Sequence, residues 1–299
     1  MHVLLIFIDG LGLGANDAER NPLVAAATPT WRRLLGGQPL TGEVEAFMGT
    51  EVSFVPTDAT LGVPGLPQSA TGQTTLLTGE NAAQVLGRHH NAFPPQALRE
   101  LIARASILKQ VQDMGLQATF ANMFRDEYFT LRAEGKKRNS VTTEATLAAG
   151  LNLRTKADLL AGQAVYQDIT NASLREKGYK VPLFSPEEAG RILADISRNY
   201  NFTLFEYFRT DFVGHRQNWQ QAVAVLELLD RFYGSVLTQV DLKQTLVVLA
   251  SDHGNIEDLT VKGHTFNPVP TLLCGYGHGE VARQVRDLTD IAPAILSLY

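Results

Sequence analysis

The chain has 299 residues, of which 44% are hydrophobic and 19% are charged, and its formal net charge is −5. These values are typical of a globular protein with a large buried core, and the negative charge disfavours nucleic acid and anionic membranes as partners. The one cysteine, Cys274, excludes an internal disulfide. A small anionic ligand remains compatible with this charge, because cations or metals can reverse the field of one cleft.

The N-terminal sequence "MHVLLIFIDG" contains an apolar run that is too short to span a bilayer and is interrupted by Asp9. No cleavage site of a signal peptide follows this run. We therefore expect a cytoplasmic protein without a membrane partner, and the sequence leaves the oligomeric state open.

Five apolar runs are predicted to form buried strands. They are "VLLIFI" near the N-terminus and residues 116–124, 201–208, 245–251 and 269–277. Helical patterns lie between the runs, at residues 97–115, 185–200 and 218–237. Buried strands that alternate with helices predict an α/β fold with a doubly wound, mostly parallel sheet and helices on both faces.

The segment from Asp126 to Pro182 differs from the rest of the chain. It is more polar, contains the charged cluster "EGKKRN", and lacks a clear alternation of strands and helices. We interpret residues 126–182 as a small insertion or lid within a single domain that spans residues 1–299.

Polar side chains follow the predicted strands at the edge where ligands bind in such a sheet. Three aspartates, three histidines and one serine on a small-residue turn share this position: Asp9, Ser69, Asp211, His215, Asp252, His253 and His264. Each alone has a simpler explanation, such as a turn former, a helix cap or a structural histidine. Their coincidence at strand ends instead favours one shared site.

Carboxylates and neutral imidazoles are common ligands of Zn²⁺ and Mn²⁺. We expect two divalent ions. One would be held by Asp9, Ser69, Asp252 and His253, and the other by Asp211, His215 and His264. A cation beside Ser69 would stabilise its alkoxide, and two ions about 4 Å apart would clamp the attacking and leaving oxygens of a phosphoryl transfer.

The glycines of "IDGLGLG" suggest an alternative, a dinucleotide-binding loop. The full G-x-G-x-x-G pattern is absent, and the following "ANDAERNP" is a poor start for the helix that should bind the pyrophosphate. We therefore disfavour this interpretation.

Five motifs resemble, in chain order, those of the alkaline phosphatase superfamily. They are "IFIDGLGLG", "SATGQTTLLTG", "DFVGHRQNWQQA", "SDHGNIEDL" and "GHTFNPVP". The branch that they resemble most contains cofactor-independent phosphoglycerate mutase and phosphopentomutase. The resemblance covers both ends of the chain but not its middle. It implies the alkaline phosphatase-like fold, the two metal sets given above, and Ser69 as the nucleophile that becomes phosphorylated.

The sequence departs from the mutases in two places. Gln73 stands where the mutases carry a histidine, and the middle segment is too short to be their cap domain, which supplies substrate-binding arginines. The basic residues considered for substrate binding are Arg88, His89, Arg125, Arg132, Lys136, Lys137 and Arg138. Ser69 also lacks the C/S-x-P-x-R context of the sulfatases, because it is followed by "ATG".

A mutase must exclude water while its substrate reorients, which requires a closing cap. We therefore expect a phosphomonoester hydrolase that acts on a small phosphorylated molecule through phospho-Ser69. A phosphomutase is the main alternative. A phosphodiesterase and a metal-binding protein without turnover are further alternatives.

Overall fold

The computed structural model describes residues 1–299, and its seven strands form one mixed sheet in the order β2-β3-β7-β6-β1-β5-β4. The strands are β1 (His2–Ile8), β2 (Phe47–Met48), β3 (Val52–Thr57), β4 (Ala118–Phe120), β5 (Phe202–Tyr207), β6 (Thr245–Ser251) and β7 (Val269–Gly275). The five predicted strands are present, and β2 and β3 are additional.

The centre of the sheet is parallel, as predicted. Strand β1 pairs in parallel with both β5 and β6, and β4 pairs in parallel with β5. Strand β7 instead runs antiparallel to β6, and β3 runs antiparallel to β7. The connection between β6 and β7, residues 252–268, contains no helix. The chain therefore returns beside β6 without the crossover that a parallel neighbour requires.

Helices cover both faces of the sheet. They are α1 (Pro22–Ala25), α2 (Pro29–Leu34), α3 (Ser69–Thr78), α4 (Ala82–Leu86), α5 (Gln96–Ala105), α6 (Ile107–Asp113), α7 (Asp126–Ala133), α8 (Val141–Ala148), α9 (Lys156–Leu160), α10 (Ala172–Glu176), α11 (Pro186–Ser197), α12 (Arg209–Arg216), α13 (Trp219–Gln239), α14 (His278–Gln284) and α15 (Ile291–Leu296). A short 3₁₀ helix, Leu288–Asp290, precedes α15. A capping box begins α11, with the Ser185 hydroxyl accepting from the backbone N–H of Glu188 at 3.1 Å.

Alternate side chains of β1 point to opposite faces of the sheet and pack into the two layers of the core. Leu4 and Ile6 face the layer that contains α11 and α13, whereas Leu5 and Phe7 face the layer that contains α3 and α5. Burying such a side chain contributes about 1.5–3 kcal/mol, so the register of β1 is strongly specified. The doubly wound α/β fold is thus confirmed, and the carboxyl ends of β1, β5 and β6 lie side by side.

Residues 126–182 fold into α7 to α10 and are not uniform in their packing. Val141 and Ala145 of α8 belong to the core layer under α5. Tyr166 and Leu174 belong to a small separate cluster. Whether this segment acts as a lid stays a prediction. None of the helices is long and apolar enough to cross a membrane.

Candidate metal centre

The seven side chains predicted as metal ligands lie together beyond the carboxyl ends of the central strands. Asp9 directly follows β1, and Asp252 and His253 directly follow β6. Asp211 and His215 lie one turn apart on α12, which begins just after β5, so both face the same point. The structure therefore collects in one place groups that are distant in sequence.

The first group of donor atoms surrounds the Nε2 atom of His253. The Ser69 Oγ lies 3.0 Å from this nitrogen, Asp9 Oδ1 lies 3.2 Å from it and Asp252 Oδ2 lies 3.5 Å from it. The ligand atoms of Asp9, Asp252 and His253 all lie within 4.8 Å of one another, and the three side chains are buried.

The second group surrounds Asp211 Oδ1. The Nε2 atoms of His215 and His264 lie 3.3 Å and 3.4 Å from this oxygen, and 3.3 Å from each other. The imidazole of His253 stacks on that of His264, with 3.7 Å between the ring centroids. The two groups are therefore adjacent and form one centre.

These residues fit divalent cations. Asp9 Oδ1 and Asp252 Oδ2 are buried and have no hydrogen-bond partner, which is costly for a carboxylate unless a cation is near. The Nδ1–H of His264 donates to the Pro67 carbonyl at 2.7 Å, an arrangement that leaves Nε2 available as a ligand. Nitrogen and oxygen donors without cysteine suit Zn²⁺ or Mn²⁺.

The pKa values of Asp9, Asp252 and His253 also indicate that the centre favours added positive charge. Burial, reinforced by the charge of Asp252, raises the pKa of Asp9 to about 7, and burial raises that of Asp252 to about 6. Burial opposes protonation of His253, but the Asp252 and Asp9 carboxylates outweigh it and raise the pKa of His253 to about 10. Without a metal, the proton on His253 offsets part of the negative charge of the Asp9 and Asp252 carboxylates.

Helix α3 presents Ser69 to this centre. Ser69 is the first residue of α3, and Gln68 occupies the N-cap position, so the serine is not the cap that its sequence context suggests. A Cβ at Gly72 would lie 2.7 Å from the backbone oxygen of Asp252, so only glycine allows α3 to approach so closely. Gln73 donates to Asp9 Oδ2 at 3.2 Å and thereby orients that carboxylate.

A comparison with known protein families decides which family the chain belongs to. The Metalloenzyme superfamily matches it over residues 1–299. The chain belongs to the Metalloenzyme superfamily. The 2,3-bisphosphoglycerate-independent phosphoglycerate mutase of Thermomicrobium roseum is 34% identical over 118 residues, which are 36% of this chain and 22% of that protein. The enzyme of the same name from Roseobacter denitrificans is 33% identical over 121 residues, 38% of this chain and 24% of that protein. The chain thus matches only about a quarter of the length of these metalloenzymes.

Solved structures share the fold of this metalloenzyme. The alkaline phosphatase of the Antarctic bacterium TAB5 has a TM-score of 0.58 and 14% identity, with 99% of this chain and 97% of that chain covered. The phosphoglycerate mutase of Leishmania mexicana has a TM-score of 0.58 and 10% identity, with 99% and 95% covered. A Pyrococcus horikoshii protein reaches 0.60 at 17% identity, with 99% and 96% covered. These similarities confirm the alkaline phosphatase-like fold.

Glu257, which the sequence interpretation did not select, holds the metalloenzyme's loops together. Its carboxylate accepts hydrogen bonds from the backbone N–H groups of Gly12 at 3.0 Å and Asn255 at 2.7 Å. It also accepts from the side chains of Thr265 and Asn267. The only sequence signal for this role is its place in "DHGNIED".

Glu257 also explains two of the glycines of "IDGLGLG", Gly12 and Gly14. A Cβ at Gly12 would lie 2.2 Å from Glu257 Oε1, and one at Gly14 would lie 2.7 Å from the Glu257 backbone oxygen. In this metalloenzyme the two glycines make room for Glu257, so the pattern needs no bound dinucleotide to account for it.

Two neighbouring cavities lie near the candidate metal centre, and one of them is lined by Ser69. The open cavity, of about 520 Å³, is lined by Ser69 and by the metal-ligand candidates Asp9, Asp211 and His215. The aromatic cavity, of about 240 Å³, adjoins it and is lined by six rings, three cations and other polar side chains. Both are lined by Phe93, Ser140, Glu206 and Phe208.

The predicted substrate-binding residues separate into two sets. Arg125, Lys137 and Arg138 line the aromatic cavity. Arg88 and His89 line neither cavity, and the His89 Nε2–H donates to the backbone carbonyls of Thr60 at 3.1 Å and Val63 at 3.2 Å. The structure thus gives His89 a role in anchoring a loop.

Proposed function

We propose that this metalloenzyme transfers a phosphoryl group through Ser69 with the help of two divalent ions, zinc or manganese. The ligand sets are those of the sequence interpretation: Asp9, Ser69, Asp252 and His253 for one ion, and Asp211, His215 and His264 for the other. The observation that carries the proposal is the contact between Ser69 Oγ and His253 Nε2 at 3.0 Å, within a cluster of unpaired carboxylate oxygens. Bound divalent ions supply Lewis acidity at the serine hydroxyl and at the phosphoryl oxygens.

The residues of the chain position both reactants. The substrate phosphoryl group lies in the open cavity at the N-terminus of α3, where backbone N–H groups favour an anion. The Ser69 oxygen bonds to phosphorus while the bond from phosphorus to the ester oxygen breaks, and the alcohol leaves with a proton. Glu257 and Gln73 hold Asp9 and its neighbours in place during this exchange.

Hydrolysis of phospho-Ser69 is favoured over return of the phosphoryl group to the substrate. The His215 side chain is 46% exposed and Phe212, which lines the same cavity, is 45% exposed. Water therefore reaches the centre, whereas a mutase must exclude it while the substrate reorients. Mutase activity is the second candidate, because the curated relatives carry that name.

The test is to incubate the Mn²⁺- or Zn²⁺-loaded protein with 4-nitrophenyl phosphate and with 3-phosphoglycerate. We expect release of inorganic phosphate, and loss of turnover by at least about a thousandfold in Ser69→Ala with the metal content retained. Ser185→Ala, at the start of distant α11, is the matched control and keeps its turnover. Isomerised phosphoglycerate without free phosphate would support the mutase instead, and full turnover by Ser69→Ala would reject the role of Ser69.

A further inference from the structure

We propose that the substrate is a phosphate monoester whose organic group is aromatic and carries a second negative charge, and that this group binds in the aromatic cavity. The inference rests on the proposed function only for the position of the phosphoryl group beside Ser69. It defines the chemical class of substrate, which the motifs of the chain do not.

The location of the aromatic cavity makes it the place for the organic group. It lies next to the open cavity that is lined by Ser69, because Phe93 and Phe208 form part of both walls. A phosphoryl group beside Ser69 therefore has its ester substituent within reach of the aromatic cavity. The volume of about 240 Å³ suits one small organic group.

The walls of this cavity select for a ring. Besides Phe93 and Phe208, they contain Phe120, Phe124, Tyr128 and Tyr166. Phe124 and Tyr128 lie 4.7 Å apart between ring centroids, a distance typical of aromatic pairs. A flat apolar group gains contact area against such rings, which a sugar or glycerate does not.

The cations of the cavity select for a second anion. Arg125 is half-buried and Lys137 and Arg138 are exposed, and none of the three has a carboxylate within 4.0 Å. Arg138 packs on the Phe93 ring, with its guanidinium carbon 4.4 Å from the ring centroid. Two acids line the same cavity. The Glu127 carboxylate accepts a hydrogen bond from the Tyr179 hydroxyl, and the Glu206 carboxylate accepts one from the Thr142 hydroxyl. The three cations, which outnumber these acids, complement a carboxylate or a second phosphate on the bound group.

The test measures binding to Mn²⁺-loaded Ser69→Ala by calorimetry, using phenyl phosphate, 4-carboxyphenyl phosphate and 3-phosphoglycerate. We expect 4-carboxyphenyl phosphate to bind about tenfold more tightly than phenyl phosphate, and 3-phosphoglycerate to bind most weakly. Adding Arg138→Ala or Arg125→Ala should reduce the preference for the carboxylate to less than about threefold. Arg132→Ala is the matched control, since Arg132 lies on α7 outside the cavity and should leave the preference unchanged.

A further variant tests whether the rings of the aromatic cavity contribute to binding. Phe124→Ala should weaken both aromatic esters equally and leave 3-phosphoglycerate unchanged. Tightest binding of 3-phosphoglycerate, absence of binding by every probe, or equal effects of Arg125→Ala, Arg138→Ala and Arg132→Ala would overturn the inference. Turnover by the wild-type protein separates the two proposals. A carboxylate preference without turnover would reject phosphoryl transfer alone, and turnover without the preference would reject the substrate class alone.

Discussion

The Glu257 carboxylate accepts a hydrogen bond from the Gly12 backbone N–H, at 3.0 Å, across 245 residues of sequence. The bond ties the loop after β1, which carries Asp9, to the loop after β6, which carries Asp252 and His253. The distances between these side chains are therefore fixed by the protein, and a bound ion does not have to impose them.

Glu257→Gln is expected to weaken metal binding about 10- to 100-fold, because one oxygen becomes an amide that donates toward neighbouring donors. The same change should lower the free energy of unfolding by about 1–3 kcal/mol, since buried donors lose their acceptor. Metal titration and urea unfolding measure the two effects. Glu187→Gln, which breaks the exposed pair of Glu187 with Arg231, is the control and should cost under about 1 kcal/mol. Wild-type metal affinity in Glu257→Gln would contradict this role.

Metal binding should stabilise the folded chain. At a free Mn²⁺ or Zn²⁺ concentration of about 1,000 times the Kd, the expected gain is about 4 kcal/mol in the free energy of unfolding. Asp252→Asn should lose most of this gain, because a buried carboxylate of the proposed ligand set becomes a neutral amide. The comparison is unfolding with and without the metal, and Asp113→Asn, in an exposed pair with Lys109, should retain the full gain. Equal gains in both variants would exclude Asp252 as a ligand.

Gly72→Ala should reduce turnover strongly. The added Cβ would lie 2.7 Å from the Asp252 backbone oxygen and 3.0 Å from its Cβ, so α3 must shift away from the loop after β6 and move Ser69 with it. A displacement of this kind costs about a hundredfold in rate. Gly279→Ala on α14 is the matched control, since its nearest neighbour is 3.9 Å away, and it should be neutral or stabilising by up to about 1 kcal/mol. Equal turnover in the two variants would show that the close approach is unimportant.

The sequence predicted the parallel strands and the polar side chains at their ends because both depend on local patterns. Continuous apolar runs identify buried strands, and a polar group directly after such a run lies at the ligand-binding edge. Strand β3 was missed because its sequence, VSFVPT, is interrupted by Ser53 and Pro56 and so contains no continuous apolar run.

The sequence interpretation missed Glu257 and the aromatic cavity for a different reason. Glu257 is set by hydrogen bonds to four separate positions, and the aromatic cavity combines Phe93 with rings from later in the chain. Such arrangements exist only after the loops have packed together. The basic residues at 125–138 could be proposed from composition, but only the packing separates Arg125 and Arg138, which line the cavity, from Arg132, which does not.

Glu206, at the junction of the two cavities, should make stability depend on pH. Burial raises its pKa from 4.5 to about 7, although a hydrogen bond from the Thr142 hydroxyl opposes the rise, and the charge of Asp9 adds to it. Between pH 4.5 and 7 the unfolded carboxyl releases its proton while the folded one keeps it, so the folded state loses stability as pH rises. Glu206→Gln keeps an acceptor for Thr142 and removes the buried charge. The metal-free variant should exceed the metal-free wild type by about 1–3 kcal/mol at a pH near 8 and match it near pH 4.5, as measured by urea unfolding. An equal difference at both pH values would show that ionisation of Glu206 is not the cause.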